Sequence, residues 1–237
     1  MFEDLFSRGH LELSQDIFPA RVAESSAWWD VAANKVLTGI AVAVFLFNLS
    51  NFLSLAAPLR DCLFRVKTAK SIEHNIGLSR TRNITVICLI LPFSLIISRY
   101  DIYHPAFFDS ISPTLRTIIS IGAVALFLIL TLLISLMLGH HGLDNDLYFA
   151  ACRSPFNYFI IAFSIMLISL AIFMPFGVPD TFTGKVILVE IIILWAFALL
   201  RSYQILRSRC DYFTTILYLC ALEIIPSAVI VASAMLF

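Results

Sequence analysis

Charge is scarce in this 237-residue chain. Only 14% of its residues are Asp, Glu, Lys or Arg, against roughly a quarter in a soluble domain, which excludes a water-soluble fold. The sixteen basic and sixteen acidic residues cancel, so no global field favours a nucleic-acid partner. The five cysteines (Cys62, Cys88, Cys152, Cys210 and Cys220) are odd in number and scattered without a CxxC pair. That spacing excludes a zinc ribbon or a disulfide framework and leaves plain thiols. The first residues, Met1-Phe-Glu-Asp-Leu-Phe-Ser-Arg8, lack the basic start and apolar core of a cleavable signal peptide, so the mature protein is expected to be the whole chain. No G-x-S-x-G, P-loop, dinucleotide fingerprint or Cys/His nucleophile pair occurs, so neither a catalytic set nor a cofactor is expected.

What is present is hydrocarbon. Apolar residues make up 60% of the chain and the mean hydropathy is +0.92. They fall in charge-free blocks near the length of about 20 residues that crosses a bilayer as a helix. Barrel-type alternation is absent, so the expected fold is all-α, a polytopic bundle of six spans. The blocks are Val36 to Ala57, ended by Pro58 and Arg60; Asn83 to Ser98, short and kinked at Pro92; and Arg116 to Leu138. The fourth opens at the Ser154-Pro155 cap and closes around Pro175 to Pro179. The fifth is Val186 to Tyr203, and the sixth follows the capping Asp211 from Tyr212 to Phe237. Residues 1–35 form an extramembrane tail and residues 36–237 the transmembrane domain. Arg80, Arg82 and Arg99 are expected to snorkel from the ends of the second span.

The connections after spans one, three and five carry ten basic residues (Arg60, Arg65, Lys67, Lys70, Arg80, Arg82, Arg153, Arg201, Arg207 and Arg209). The other side carries six (Arg8, Arg21, Lys35, Arg99, Arg116 and Lys185). The positive-inside rule then places those connections in the cytoplasm and both termini outside. The tail from Ala20 to Asn34, with Trp28 and Trp29, reads either as a helix lying in the interface or as a plain aromatic belt, the belt being favoured. The outer loop with Tyr103, Pro105, Phe107 and Phe108 also reads as interfacial. No internal repeat supports an inverted-repeat transporter.

Only Glu190 and Glu223 place a formal charge well inside a span. Charge at the bilayer centre costs about 2.5 to 3.5 kcal/mol on insertion scales, so such groups face a bundle interior or a wet cavity. Glu223 lies about 16 Å past Tyr212 at 1.5 Å per residue, near the midplane. Pro226 has no N–H and strips the carbonyl of Leu222 of its helical partner. Carboxyl and carbonyl together suit a cation or proton site, or a dock for a donor on another helix. Glu190 lies about 7 Å in from Lys185 by the same rise; if the last two spans are antiparallel neighbours, the two carboxyls differ in depth by several ångströms and are candidates for one polar seam. The competing reading, favoured by roughly three to two, is a hydrogen-bonded carboxyl acting as glue between helices. Without a cationic partner, Glu223 is expected to be neutral.

Three weaker features complete the set. The first span offers Asn48 and Asn51, with Ser50 and Ser54; the two asparagines, three apart, share a face and either meet the carboxyl seam or, the favoured reading, pair with a neighbouring helix. Gly39-xxx-Ala43 and Ala228-xxx-Ala232 permit close helix contact. His140, His141, Asp144 and Asp146 are suitable metal-ligand types, but their spacing matches no metal motif, and a polar loop after Gly139 accounts for them better. The basic stretch from Arg60 to Arg82 would also be drawn to anionic lipid.

Three stretches, Arg153-Ser-Pro-Phe-Asn-Tyr158, Leu200-Arg-Ser-Tyr203 and Leu217-Tyr-Leu-Cys-Ala-Leu-Glu-Ile-Ile-Pro226, resemble a family of small multi-span inner-membrane proteins of Bacteroidota known only as a domain of unknown function (4271). The resemblance implies a bacterial inner-membrane location and a Glu-xx-Pro pattern, here Glu223 and Pro226, without an activity. The expected role is that of a scaffold or accessory subunit rather than an enzyme. Its partners are the lipid bilayer and other membrane subunits or further copies of the chain, and not nucleic acid. The alternative is a small proton, cation or solute transporter using Glu223, Glu190 and the Asn48/Asn51 face.

Overall fold

A computed structural model describes residues 28–64, 75–105, 107–108, 111–138, 145–207 and 211–236. In chain order the helices are α1 (Ala32–Phe64), α2 (Ile76–Arg99), α3 (Pro113–Leu138), α4 (Asn145–Phe173), α5 (Asp180–Arg207), α6 (Tyr212–Leu219) and α7 (Ile225–Leu236), the last two joined by a π-helical turn at Cys220–Ile224. Among the described residues, six segments are long and apolar enough to cross a membrane, with α6, the π turn and α7 together making the sixth. The protein is thus an all-α, multi-pass membrane protein. Hydrocarbon offers the backbone no partner, so each segment closes its hydrogen bonds within itself.

The helices outrun the charge-free blocks. At 33 residues, α1 reaches about 50 Å at 1.5 Å per residue, well beyond the roughly 30 Å of hydrocarbon. Charged residues therefore sit on the helix ends: Lys35, Arg60 and Asp61 on α1, Asp180, Lys185 and Arg207 on α5. Pro58 does not end the first span, because α1 continues through it to Phe64. Ser154-Pro155 likewise is not a start: α4 begins at Asn145 and carries Pro155 inside. The second span is not short. It runs for 24 residues as one continuous α-helix through Pro92, opened by Asn75, whose side chain accepts from the N–H groups of Gly77 and Leu78. Asp211 does precede α6, but its side chain makes no capping bond and its carbonyl accepts from Thr215 instead. Prolines survive within these helices because neighbouring helices and local adjustments satisfy the freed carbonyls.

The centre of the bundle is α4, over half of whose spanning stretch is buried inside the protein, against about a ninth of that of α1. The main core joins Leu55 and Leu59 of α1, Val86, Leu89 and Phe93 of α2, and Tyr158 to Phe163 and Met166 of α4. Phe163 takes edge contacts from Phe45 and Phe52 of α1, with centroids 5.6 and 6.3 Å apart. A second, smaller core gathers Ala151 and Cys152 of α4, Ile205 and Leu206 of α5, Tyr218 of α6 and Leu222 of the π turn. It brings the start of the fourth span, the end of the fifth and the first half of the sixth to one end of the bundle.

Polar ties hold both ends. Arg82 is fully buried rather than snorkelling, and donates to Asn83 and Ser79; Ser79 also receives Arg153 of α4 at 3.0 Å. At the opposite end Trp28 donates to Ser98 at 3.4 Å, and Ser98 meets Thr117 at 3.0 Å. The Arg99 guanidinium lies over the Trp29 ring at 4.9 Å and over Tyr100 at 5.5 Å, and reaches Asp180 at 3.9 Å. The tryptophan pair therefore docks on the end of α2, a packing role that the belt reading lacked. The remainder of the Ala20 to Asn34 stretch before Trp28 lies outside the described residues. Tyr103 packs edge-on against Phe108 and bonds Ser233 of α7 at 2.9 Å, so the loop after α2 is fastened to the sixth span.

Candidate functional site

Glu223 sits in the π turn. The N–H of Ile225 reaches back five residues to the carbonyl of Cys220, the signature of the wider helix. Such a turn inserts one residue into an α-helix and appears often at functional sites. The sequence explains it locally, because the ring of Pro226 would collide with the carbonyl four residues before it in a regular α-helix. Widening the turn just ahead of Pro226 relieves that conflict. It also sets Leu222, Glu223 and Pro226 toward the bundle, all three buried.

The Glu223 side chain is 4% exposed. Its Oε1 accepts from the Ser202 hydroxyl of α5 at 2.8 Å. Its backbone carbonyl accepts from the Ser227 hydroxyl at 2.8 Å, and Ser227 in turn accepts from the Trp195 indole N–H of α5 at 2.8 Å. Two bonds, from residues about two helical turns apart on α5 and about one apart on the sixth span, thus lace the two together around the π turn. The anticipated donor on another helix exists, and it meets the carboxyl itself.

Glu190 is held differently. Its Oε1 accepts a short hydrogen bond from Ser169 of α4, while its Oε2 is buried without a partner. Ser202, which marks the level of Glu223, lies twelve residues further along α5, about 18 Å at 1.5 Å per residue. The two carboxyls therefore do not form one seam, because each is answered by a serine on a different neighbouring helix. Asn48 and Asn51 do share a face: the Asn51 amide donates to Asn48 Oδ1 at 3.0 Å, leaving the buried Nδ2 of Asn48 without a partner. Their bond is to each other, not to a carboxyl. His140, His141 and Asp144 lie outside the described residues, and of Asp146 only the backbone in the first turn of α4 is described. Among the described residues, no group of three or more His, Cys, Asp and Glu side chains is placed to hold a metal ion.

Residues not singled out by the sequence complete the region. Arg201, next to Ser202, donates to Gln204 at 2.8 Å and to the carbonyl of Cys62 in α1 at 3.4 Å. With Cys62, Ser154, Asn157, Tyr158 and Ile205 it lines a small cavity between α1, α4 and α5. Arg201 stands near the end of a span and so reads in sequence as a topology signal. The signal that could have found Arg201, Asn157 and Tyr158 was their place in the stretches around Tyr158 and Tyr203. Those two stretches and the Glu223 stretch, far apart in the chain, meet at one end of the bundle through the cavity and the Ser202–Glu223 bond.

Chemically, this arrangement fastens helices. It encloses one carboxyl, supplies it with one donor, and lines the neighbouring space with a guanidinium, a phenol and an amide. No curated protein and no solved structure matches the chain. A family model does match, over residues 35–233, which takes in every spanning helix and all three of the stretches that converge here. By that match the chain belongs to the family described as Domain of unknown function (DUF4271).

Proposed function

We propose that this protein serves as a scaffold or accessory subunit of an assembly in the bacterial inner membrane, with both termini on the periplasmic side. The observation that carries this reading is the packing of Glu223: a carboxyl 4% exposed and bonded across the helix boundary by Ser202 acts as glue between helices, in contrast to a transport site, which needs a wet path. Outward-facing small residues support it as well. Gly39 and Ala43 of α1 and Ala228 and Ala232 of α7 are exposed on the outside of the bundle, and a side chain added at Gly39 would meet nothing within 4 Å. Such small-xxx-small faces allow another helix to approach closely. The orientation rests on the ten-to-six bias in basic residues.

Crosslinking in native membranes followed by purification in mild detergent tests the assembly. Recovery of one membrane protein, or of a second copy, in fixed ratio with crosslinks on α1 or α7 is the expected result. Recovery of the chain alone as a monomer contradicts it. One observation favours transport as the second reading: the buried, unpartnered Oε2 of Glu190 offers an acceptor to a proton or cation. Proton or cation flux in proteoliposomes that is lost in Glu190→Gln would establish that reading.

A further inference from the structure

We propose that the cavity between α1, α4 and α5 binds one ordered water molecule, which bridges Asn157, Tyr158 and Arg201. The cavity measures about 10 Å³, close to the space that a single water occupies. Asn157 and Tyr158, which line it, are 4% and 7% exposed, and neither Asn157 Oδ1 nor the Tyr158 hydroxyl has a hydrogen-bond partner of good geometry within the protein. Buried polar groups in folded proteins are nearly always answered, by protein or by water.

The chemistry of the lining selects the ligand. Asn157 Oδ1 only accepts, the Arg201 guanidinium only donates, and the Tyr158 hydroxyl does either. The occupant must therefore donate on one side and accept on the other. A metal cation is repelled by Arg201 and finds no carboxylate in the lining to offset that charge. A halide accepts only and leaves that oxygen unanswered. A hydrocarbon chain satisfies neither group. Water does both, has the right volume, and finds here the two to four polar partners that a buried water needs.

The site has a place in the fold. Arg201 bonds the carbonyl of Cys62 near the end of α1, and its neighbour Ser202 holds Glu223. A water between Arg201, Asn157 and Tyr158 adds α4 to that network, so that the first, fourth, fifth and sixth spans share one polar junction. This inference stands apart from the scaffold reading and survives if the protein proves to be a transporter.

Hydroxyl-radical footprinting by X-ray radiolysis, on the full chain in lipid nanodiscs with mass-spectrometric readout, tests it, because a bound water is activated in place and marks the side chains it touches. Tyr218 is the internal control: it has the same 7% exposure as Tyr158 but does not line the cavity. The expected result is that Tyr158 is modified several-fold faster than Tyr218. Equal rates overturn the proposal. In Asn157→Leu, which fills the cavity and removes the acceptor, the Tyr158 rate should fall to that of Tyr218 while Tyr218 is unchanged; a Tyr158 rate that stays high also overturns it. If Tyr218 itself becomes reactive, the variant has lost its packing and the comparison in the unmodified protein decides.

Discussion

The Ser202 hydroxyl donates to Glu223 Oε1 across 2.8 Å, joining α5 to the π turn of the sixth span. The bond gives the one deeply buried carboxyl of that span a neutral donor on a neighbouring helix. It is oriented by a backbone feature, the π turn at Cys220–Ile224 just ahead of Pro226, which sets Glu223 toward the bundle. Sequence, local geometry and interhelical energetics therefore meet at a single contact. Such bonds in membranes contribute about 0.6 to 2 kcal/mol.

Substitutions at the asparagine pair should separate a lost bond from a lost group. Asn51→Leu removes the donor to Asn48 Oδ1 and leaves a buried amide with both ends unanswered, which costs about 1 to 3 kcal/mol. The double variant Asn48→Leu with Asn51→Leu removes the whole polar pair and should lie closer to the unmodified protein than Asn51→Leu alone. Unfolding in mixed micelles checks the order of the three stabilities. A double variant less stable than Asn51→Leu would show that the pair meets a further partner.

Gly184 marks a close approach between α5 and the end of α2. A Cβ placed there would stand 3.0 Å from the carbonyl oxygen of Tyr100, a backbone atom with little freedom to retreat. Gly184→Val should therefore destabilise by about 1 to 3 kcal/mol, as overpacking does. It should also loosen the Arg99–Asp180 contact at the same end, visible as increased backbone amide exchange at the start of α5. Unchanged unfolding and exchange would contradict this packing.

The cluster of Arg99 with Trp29 and Tyr100 predicts a spectroscopic result. Arg99→Gln removes the cation from the Trp29 face, a contact contributing about 0.5 to 2 kcal/mol, and the partner of Asp180. Tryptophan emission should shift, and the segment carrying Trp28 and Trp29 should become more susceptible to proteolysis. Emission and cleavage unchanged from the unmodified protein would mean that the Trp28–Ser98 bond alone holds this segment.

The number of spans was legible in the sequence because the bilayer imposes one length on every apolar block. Their ends were not, because a charged residue such as Arg60 or Lys185 marks the edge of the hydrocarbon but not the end of the helix. The prolines misled for a related reason: Pro58 reads as a stop and Ser154-Pro155 as a capped start, yet both prolines lie inside longer helices. That Glu223 turns into the bundle was legible from charge alone, and Pro226 hinted at an altered turn. Counting residues sets the two carboxyls only several ångströms apart in depth, because it carries no register between helices; Ser202 fixes the level of Glu223 on α5, about 18 Å from Glu190 at 1.5 Å per residue. Arg82 was equally opaque, since nothing in its neighbours distinguishes a snorkelling arginine from one folded back onto Ser79 and Asn83.

Glu223→Gln and Glu223→Leu distinguish charge from hydrogen bonding. The amide oxygen of glutamine still accepts from Ser202, so stability should change little, while leucine leaves the buried Ser202 hydroxyl unanswered and should cost about 1 to 3 kcal/mol. Equal losses in both variants would mean that ionised Glu223 is required.

The most direct measurement is a double-mutant cycle between Ser202→Ala and Glu223→Leu, read as unfolding free energy in bicelles alongside proton and cation flux in proteoliposomes. A carboxyl that serves as interhelical glue predicts a coupling of about 0.6 to 2 kcal/mol, with no flux in the unmodified protein that Glu223 substitution removes. Zero coupling, together with a flux abolished by Glu223→Gln, would contradict that account.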